Sequence, residues 1–376
     1  MKLKHLGWAL IAVIAMGACS DSEDDGNGQE DTFDRKALLE NTADNIIIPA
    51  LQELSTDLAT LKTSKDLFIS GPNQANLDGL REKWLAAYLT WQYVEMINVG
   101  KAEEIFYSFQ MNIYPTNVSD IEANIDIDMQ NGTYDLTTPE NNDAVGFPAV
   151  DYLLYGTADT DSGIVDFYSN DPKANANQQY LSNLIDQMDS LTTTVLNDWT
   201  GSYRDTFVNS TDNTASSSLN MMTNDFVFYY EKGLRANKIG IPAGVFSTTP
   251  LAEKVEGLYS REFSKELALE GLQAVDDFFN GRAYGGTTSG SSYATYLTLL
   301  RNNSGTSDLT GIINSQLNTA RAQINLLDNN FFDQVNTDNV MMTAAYDELQ
   351  RATVLFKVDM LQTLSISVDY VDSDGD

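Results

Sequence analysis

The chain has 376 residues, 42% of them hydrophobic, and 54 acidic against 22 basic side chains, a net charge of −32; such a field excludes nucleic acid and anionic membrane surfaces as partners and favours cations. Its one histidine, His5, and its one cysteine, Cys19, both fall within the first nineteen residues. Beyond them the sequence excludes imidazole bases, thiol nucleophiles, Ser-His-Asp triads, disulfides and zinc sites built on His or Cys, leaving carboxylates, hydroxyls, amides, Lys/Arg and aromatic rings.

Residues 1–18 read as an export signal: Lys2 and Lys4, an apolar run from Leu6 to Met16, then Gly17 and Ala18. The run is too short to span a bilayer as a helix. The junction Met16-Gly17-Ala18-Cys19 resembles a lipobox, which would make Cys19 the lipid-modified first residue of an outer-membrane lipoprotein facing the periplasm or the cell surface. Residues 19–34, starting Cys19-Ser20-Asp21-Ser22-Glu23-Asp24-Asp25, hold little to bury and read as an acidic tether. The serine and acidic run resemble the surface-export signal of Bacteroidetes lipoproteins and equally fit a solvated spacer.

From there helical periodicity dominates. A first helix fits Arg35 to Thr63, with Pro49 kinking or restarting it. A second carries the stripe Leu77, Leu80, Trp84, Tyr88, Trp91 and Val94, and a third the stripe from Tyr180 to Trp199. Further helices fit Ser217–Lys238, Tyr259–Asn280, Ser291–Asn302, Ile313–Leu327 and Met341–Met360. Asn76 and Ser216 are plausible N-caps, and Gly100, Gly240 and Gly281 follow the last periodic residues. Strand-like alternation is nearly absent, so the predicted class is all-α. Two packed four-helix bundles are expected, residues 35–245 and 246–376, with a hinge from Gly240 to Pro250. Between Ala102 and Asn175 the first bundle carries a long insertion rich in Asn, Asp, Thr, Gly and Pro, which predicts irregular structure and a functional role.

Within that insertion lies an apolar segment, Gly146-Phe147-Pro148-Ala149-Val150-Asp151-Tyr152-Leu153-Leu154-Tyr155-Gly156. It resembles the signature of the imelysin family, Gly-x-His-x-x-Glu followed by a similar apolar run. The blocks Asn45–Leu51, Trp84–Glu95 with Gly100, and Gly233–Gly244 resemble imelysin sequence as well. The resemblance implies an exported, two-bundle helical protein with the signature near the bundle junction, associated with iron acquisition and, on older grounds, classed as a metallopeptidase. Pro148 stands at the histidine position and Asp151 at the glutamate position. A zinc peptidase needs metal ligands and a carboxylate base; proline supplies no ligand atom, so the expected cofactors exclude zinc and leave iron or calcium.

Candidate ligand-binding residues are Gly146, Pro148, Asp151 and Tyr155 of the signature, with Glu95, Arg235, Lys238 and Arg261. Asp151 and Glu95 are the candidate metal ligands. Asp151 fits a ligand site or a carboxylate that accepts backbone amides, and Glu95 a cleft carboxylate or a helix-end ion pair. Arg235 and Lys238 fit charge at an interface or complements to a helix dipole, and Arg261 fits a bridge between bundles or a surface pair. Asp159–Gly163 and Asp372–Asp376 look like fragments of calcium loops but lack the full spacing, and read as a turn and an acidic tail. The leading expectation is an imelysin-like binding protein for iron or an iron-bearing ligand, working with an outer-membrane receptor. The alternatives are a hydrolase with Asp151 as general acid/base and an inert interaction scaffold.

Overall fold

The computed structural model describes residues 32–305 and 307–370; the export signal, Cys19, most of the tether and the acidic tail Asp372–Asp376 lie outside them. In chain order the helices are α1 (Arg35–Asn41), α2 (Ile48–Ser70), α3 (Gln74–Val94), α4 (Lys101–Glu104), α5 (Tyr107–Met111), α6 (Val118–Met129), α7 (Gly146–Asp151), α8 (Asp161–Ser169) and α9 (Ala174–Asp198). There follow α10 (Arg204–Asn209), α11 (Ser218–Phe228), α12 (Ser264–Asn280), α13 (Tyr293–Ser304), α14 (Leu309–Asn325), α15 (Phe331–Thr337), α16 (Asn339–Val354) and α17 (Leu361–Leu364). Stretches of π-helix, Thr42–Ile47, Tyr152–Gly156, Trp199–Tyr203, Tyr229–Gly240 and Leu355–Met360, link or extend them. Among the described residues there is no strand, and the all-α expectation holds.

Local chemistry explains the boundaries. Pro49 lies inside a run of helical backbone from Arg35 to Ser70, just after the π turn Thr42–Ile47; it cannot donate to the carbonyl of Asn45, which accepts the Tyr284 N–H at 2.8 Å. Asn73, not Asn76, caps α3: its Oδ1 accepts the Asn76 N–H at 3.1 Å. Gly281 closes α12 with φ +65°. The helix expected from Tyr259 begins only at Ser264, because the residues before it form a loop with work of its own.

The apolar stripes pack as their spacing requires. Leu77, Leu80, Trp84, Tyr88 and Trp91 are fully buried, as are Tyr180, Leu184, Met188 and Trp199. Helix α2 packs on α3 and α9, α14 on α16 and α12, and α3 meets α12. From Phe33 onward the chain clusters as one compact unit. Two expectations change. The helix assigned by chain order to the first set splits its contacts: α11 meets α1, while its continuation Tyr229–Gly240 packs on α12 and α16, where the Tyr230 hydroxyl donates to Leu349 O at 3.0 Å and its ring meets Phe356 at 5.0 Å. The 102–175 insertion is not irregular but a string of short helices, α4 to α8, packed largely on α9. Helices of one to three turns leave too few periods for a hydrophobic stripe to show in sequence.

The backbone at Gly146 is the tightest point of this layer. Its φ is +74°, and a Cβ there would stand 2.2 Å from the Met111 carbonyl oxygen at the end of α5. Gly79, inside α3, meets only Ser64 Oγ at 3.8 Å. In urea denaturation Gly146→Ala is therefore expected to lose about 3 kcal/mol of stability, whereas Gly79→Ala is expected to gain up to about 1 kcal/mol; equal effects would show that close backbone approach does not govern the segment.

Candidate functional site

The signature segment folds as α7 and the π turn behind it, and every residue of α7 is buried. Its carbonyls are satisfied from other helices. Trp84 Nε1–H donates to Phe147 O at 3.2 Å, the Tyr168 hydroxyl to Leu153 O at 2.9 Å, and Arg81 Nε and Nη2 to Leu154 O at 3.1 and 2.8 Å. Phe147 stacks on Tyr88 with centroids 4.5 Å apart. Pro148 occupies the first turn of α7, where a helix tolerates proline, and adds only apolar packing. Tyr155 receives the Arg81 guanidinium over its ring at 4.2 Å. Thr160 of the calcium-like fragment caps α8, its hydroxyl accepting from Gly163 N–H, and Asp161 pairs with Arg81 at 2.9 Å, so that segment, expected as a turn, is a bend that runs into the first turn of α8.

Asp151 is 1% exposed. Its Oδ2 accepts the Tyr259 N–H at 2.8 Å and its Oδ1 the Ser260 N–H at 3.0 Å. Burial pushes the carboxyl up to about 7, against the lowering pull of those donors. Asp151 is thus the clamp that fixes the loop ahead of α12, the amide-accepting role rather than that of an open ligand. The loop turns at Gly257 (φ +68°) and Arg261 (φ +57°), and Ser264 Oγ donates to Glu256 O at 2.7 Å. Its product is the placement of one side chain, Glu256.

Glu256 faces Lys238 from the π-helical stretch Tyr229–Gly240. The Lys238 ammonium lies 2.5 Å from Glu256 Oε2 and 3.5 Å from Glu95 Oε2. Asn112 Nδ2 donates to Glu95 Oε1 at 2.8 Å and to Glu256 Oε1 at 2.9 Å, while the Tyr88 hydroxyl donates to Asn112 Oδ1 at 2.7 Å. One ammonium serves two carboxylates. Burial and then Glu256 raise the Glu95 carboxyl above its usual range, against Lys238; Lys238 is raised because the two glutamates outweigh its burial.

The candidate metal ligands therefore do not converge. Asp151 is spent on backbone amides and Glu95 on Asn112 and Lys238, and the Lys238 ammonium fills the space between carboxylates that a cation would need. Among the described residues no three His, Cys, Asp or Glu side chains gather as a metal-holding group. Pro148 offers no donor, so the donor set does not fit the metal that the family signature implies.

Of the basic candidates only Lys238 joins this cluster. Arg235, fully buried, is paired with Glu231 at 3.7 Å and donates to the Tyr346 hydroxyl at 3.2 Å. Arg261 lies over the Phe332 ring at 3.8 Å with Asp333 at 3.9 Å, a surface pair. A cavity of about 250 Å³ opens over Glu95 and Asn112, walled by Phe109, Asp225, Phe228 and Tyr229.

Sequence reasoning missed Glu256, Asn112, Asp225 and Tyr229. Glu256 sits in what read as a hinge, and its only signal was indirect: a lysine on the buried side of a helix demands a counter-charge.

Two outcomes follow from the charges. Lys238→Met leaves two buried carboxylates face to face and is expected to cost about 3–5 kcal/mol at pH 7, recovering in part near pH 5 as one glutamate takes a proton; a pH-independent loss would contradict the shared-ammonium arrangement. Native Asp151 holds its proton up to about 7, the unfolded chain only to ~4. Its contribution to stability is full below that value and is lost as pH rises to 7. The melting-temperature advantage of the native chain over Asp151→Asn should shrink across pH 4–7, and parallel profiles would exclude this assignment.

Comparison with known proteins gives the arrangement its context. The imelysin family model matches residues 47–355. Among solved structures, an imelysin-like protein from Psychrobacter arcticum superposes with a TM-score of 0.69 at 17% identity, covering 89% of this chain and 97% of that one. An iron-regulated protein A precursor from Parabacteroides distasonis gives a TM-score of 0.66 at 18% identity, covering 88% and 97%. No curated protein matches significantly. With the family match spanning most of the chain and the fold shared over 88–89% of it, the chain belongs to the imelysin family.

Proposed function

We propose that this imelysin is a lipid-anchored, extracytoplasmic binding protein that handles iron or an iron-bearing ligand through the cavity over Glu95, and that it is not a peptidase. The observation that carries this reading is the state of the signature: proline replaces the histidine, and both Asp151 oxygens accept backbone N–H groups. A carboxylate so engaged and 1% exposed is out of a substrate's reach, which argues against the general acid/base role. The iron connection rests on the family resemblance and on the name of the Parabacteroides neighbour. Fold alone does not carry function; the cavity supplies a place for a ligand and the negative charge supplies attraction for cations.

Anchoring rests on Cys19 behind its lipobox-like junction. Among the described residues no helix is long and apolar enough to cross a membrane. The position proposed is the outer membrane, on the periplasmic or the surface side, with a membrane receptor as partner.

Fractionation and ligand screening test the two halves separately. Cys19→Ser is expected to move the chain from the membrane to the soluble fraction; unchanged membrane retention would overturn the anchor. For the wild type, ferric citrate, haem or calcium at a hundredfold excess over Kd should raise the melting temperature by about 4 °C. No shift with either iron species would overturn the iron reading. Chelator-resistant casein digestion that vanishes in Asp151→Asn would restore the hydrolase.

A further inference from the structure

The turn from α4 into α5 holds an aromatic ring out to solvent in a strained conformation. The chain leaves α4 through Phe106, at φ +53° and ψ +46°, with its N–H donating to Glu103 O at 3.1 Å. Helices close in this left-handed conformation on glycine, sometimes asparagine, because a larger side chain crowds its own backbone there. A phenylalanine in it is an outlier. No burial offsets the strain, since Phe106 is 66% exposed.

The ring does not stand alone. Phe109, one turn on, is 52% exposed, and Phe228 is 45% exposed. Two hollows meet at Phe109: the cavity over Glu95, which Phe228 also lines, and a second of about 310 Å³ lined by Ile105, Phe106, Gln110 and Pro139. Tyr370 continues the apolar surface, its ring 5.2 Å from Phe228. Around these rings the charge is negative. Glu103 acts on both Asp225 and Tyr203, with Asp369 beside the first and Asp198 beside the second. Asp225, its carboxyl pushed up to about 8 by burial, is neutral at pH 7 and adds nothing. Lys101 and Lys232, the basic side chains beside the surface, are ion-paired, with Glu104 at 2.5 Å and Glu231 at 3.3 Å. Glu103, Asp198 and Asp369 keep the balance acidic.

We propose that this surface docks a segment of a partner protein that carries two large aliphatic side chains, one for each hollow beside Phe109, flanked by lysine or arginine. The assignment rests on the reading that this chain works with a protein partner. Charge selects the occupant: the rim and the net charge of −32 repel an anionic membrane and a second copy of this chain, and attract a basic segment. Exposed aromatic rings beside hollows supply the contact area on which such docking turns.

Calorimetry on the full chain tests it with a short amphipathic helical peptide of leucine and lysine, beside versions with serine in place of leucine and with glutamate in place of lysine. The first is expected to bind, the other two at least about tenfold more weakly, and its affinity should fall as salt rises. Asparagine suits the left-handed turn, so Phe106→Asn should keep or raise the melting temperature while weakening the peptide about fivefold or more. Phe109→Ser and Glu103→Lys should weaken it as well. A lower melting temperature in Phe106→Asn would show that the ring packs inward and would overturn the assignment, as would peptide binding unchanged in both phenylalanine variants, or no binding. Recruitment to phosphatidylcholine vesicles that Phe106→Asn abolishes, without peptide binding, overturns it in favour of a lipid surface. Phe106 does not line the cavity over Glu95, which separates the two readings. Thermal shifts by ferric citrate or haem that persist in Phe106→Asn, with no peptide bound, remove the docking surface alone; peptide binding with no shift by either iron species keeps the surface and removes the iron reading.

Discussion

The ammonium of Lys238, shared between Glu95 and Glu256, is the contact on which the site depends. It joins residues far apart in sequence: the end of α3, the π-helical stretch before Gly240 and the loop ahead of α12, with Asn112 at the end of α5 bridging both glutamates. In a low-dielectric interior such a charge is tolerable only if opposite charges and donors surround it. The loop that delivers Glu256 is in turn held by Asp151, whose two oxygens take successive amides of that loop. The family signature thus supports the charge cluster from behind instead of facing a ligand.

This division of labour explains how an imelysin can lose the histidine of its signature and keep its fold. Proline in the first turn of α7 preserves helix geometry and apolar packing, and the shorter aspartate still reaches the backbone amides it must accept. What persists is the mechanical part of the segment. The chemistry left to the molecule lies in carboxylates, phenols and amides around the cavity, in keeping with a chain that carries its one histidine at position 5.

Much of this was legible in the sequence. The stripes of α3, α9, α14 and α16 repeat every three or four residues, and their members are buried apart from the half-buried Leu191 and Met341; the apolar segment at Gly146 stood out against its polar surroundings and proved to be core. Asp151 and Glu95 were found as residues, though with two roles open for each, and the structure selects amide acceptance for one and ion pairing for the other. What stayed hidden was pairing between distant segments. Nothing near Glu256 marks it as the partner of Lys238, because that meeting is set by how a loop is clamped. The placement of the Tyr229–Gly240 stretch was missed for a similar reason: chain order suggests the neighbour in sequence, while its buried face packs on α12 and α16. Helices as short as α4, α5 and α7 carry too few turns for periodicity to reveal them.

The π-helical stretch Tyr229–Gly240 presents Tyr229, Gly233 and Asn237 to the cavity and keeps Glu231, Arg235 and Lys238 inside. Each of its turns holds one residue more than an α turn through the wider i→i+5 bond. Removing a single residue would let one wide turn close to the ordinary α pitch and leave the residues beyond it on the faces they already occupy. In a regular α-helix the same loss would turn everything beyond it by about 100°, so the wide turns act as slack in a stretch whose buried charges and cavity residues must keep their sides.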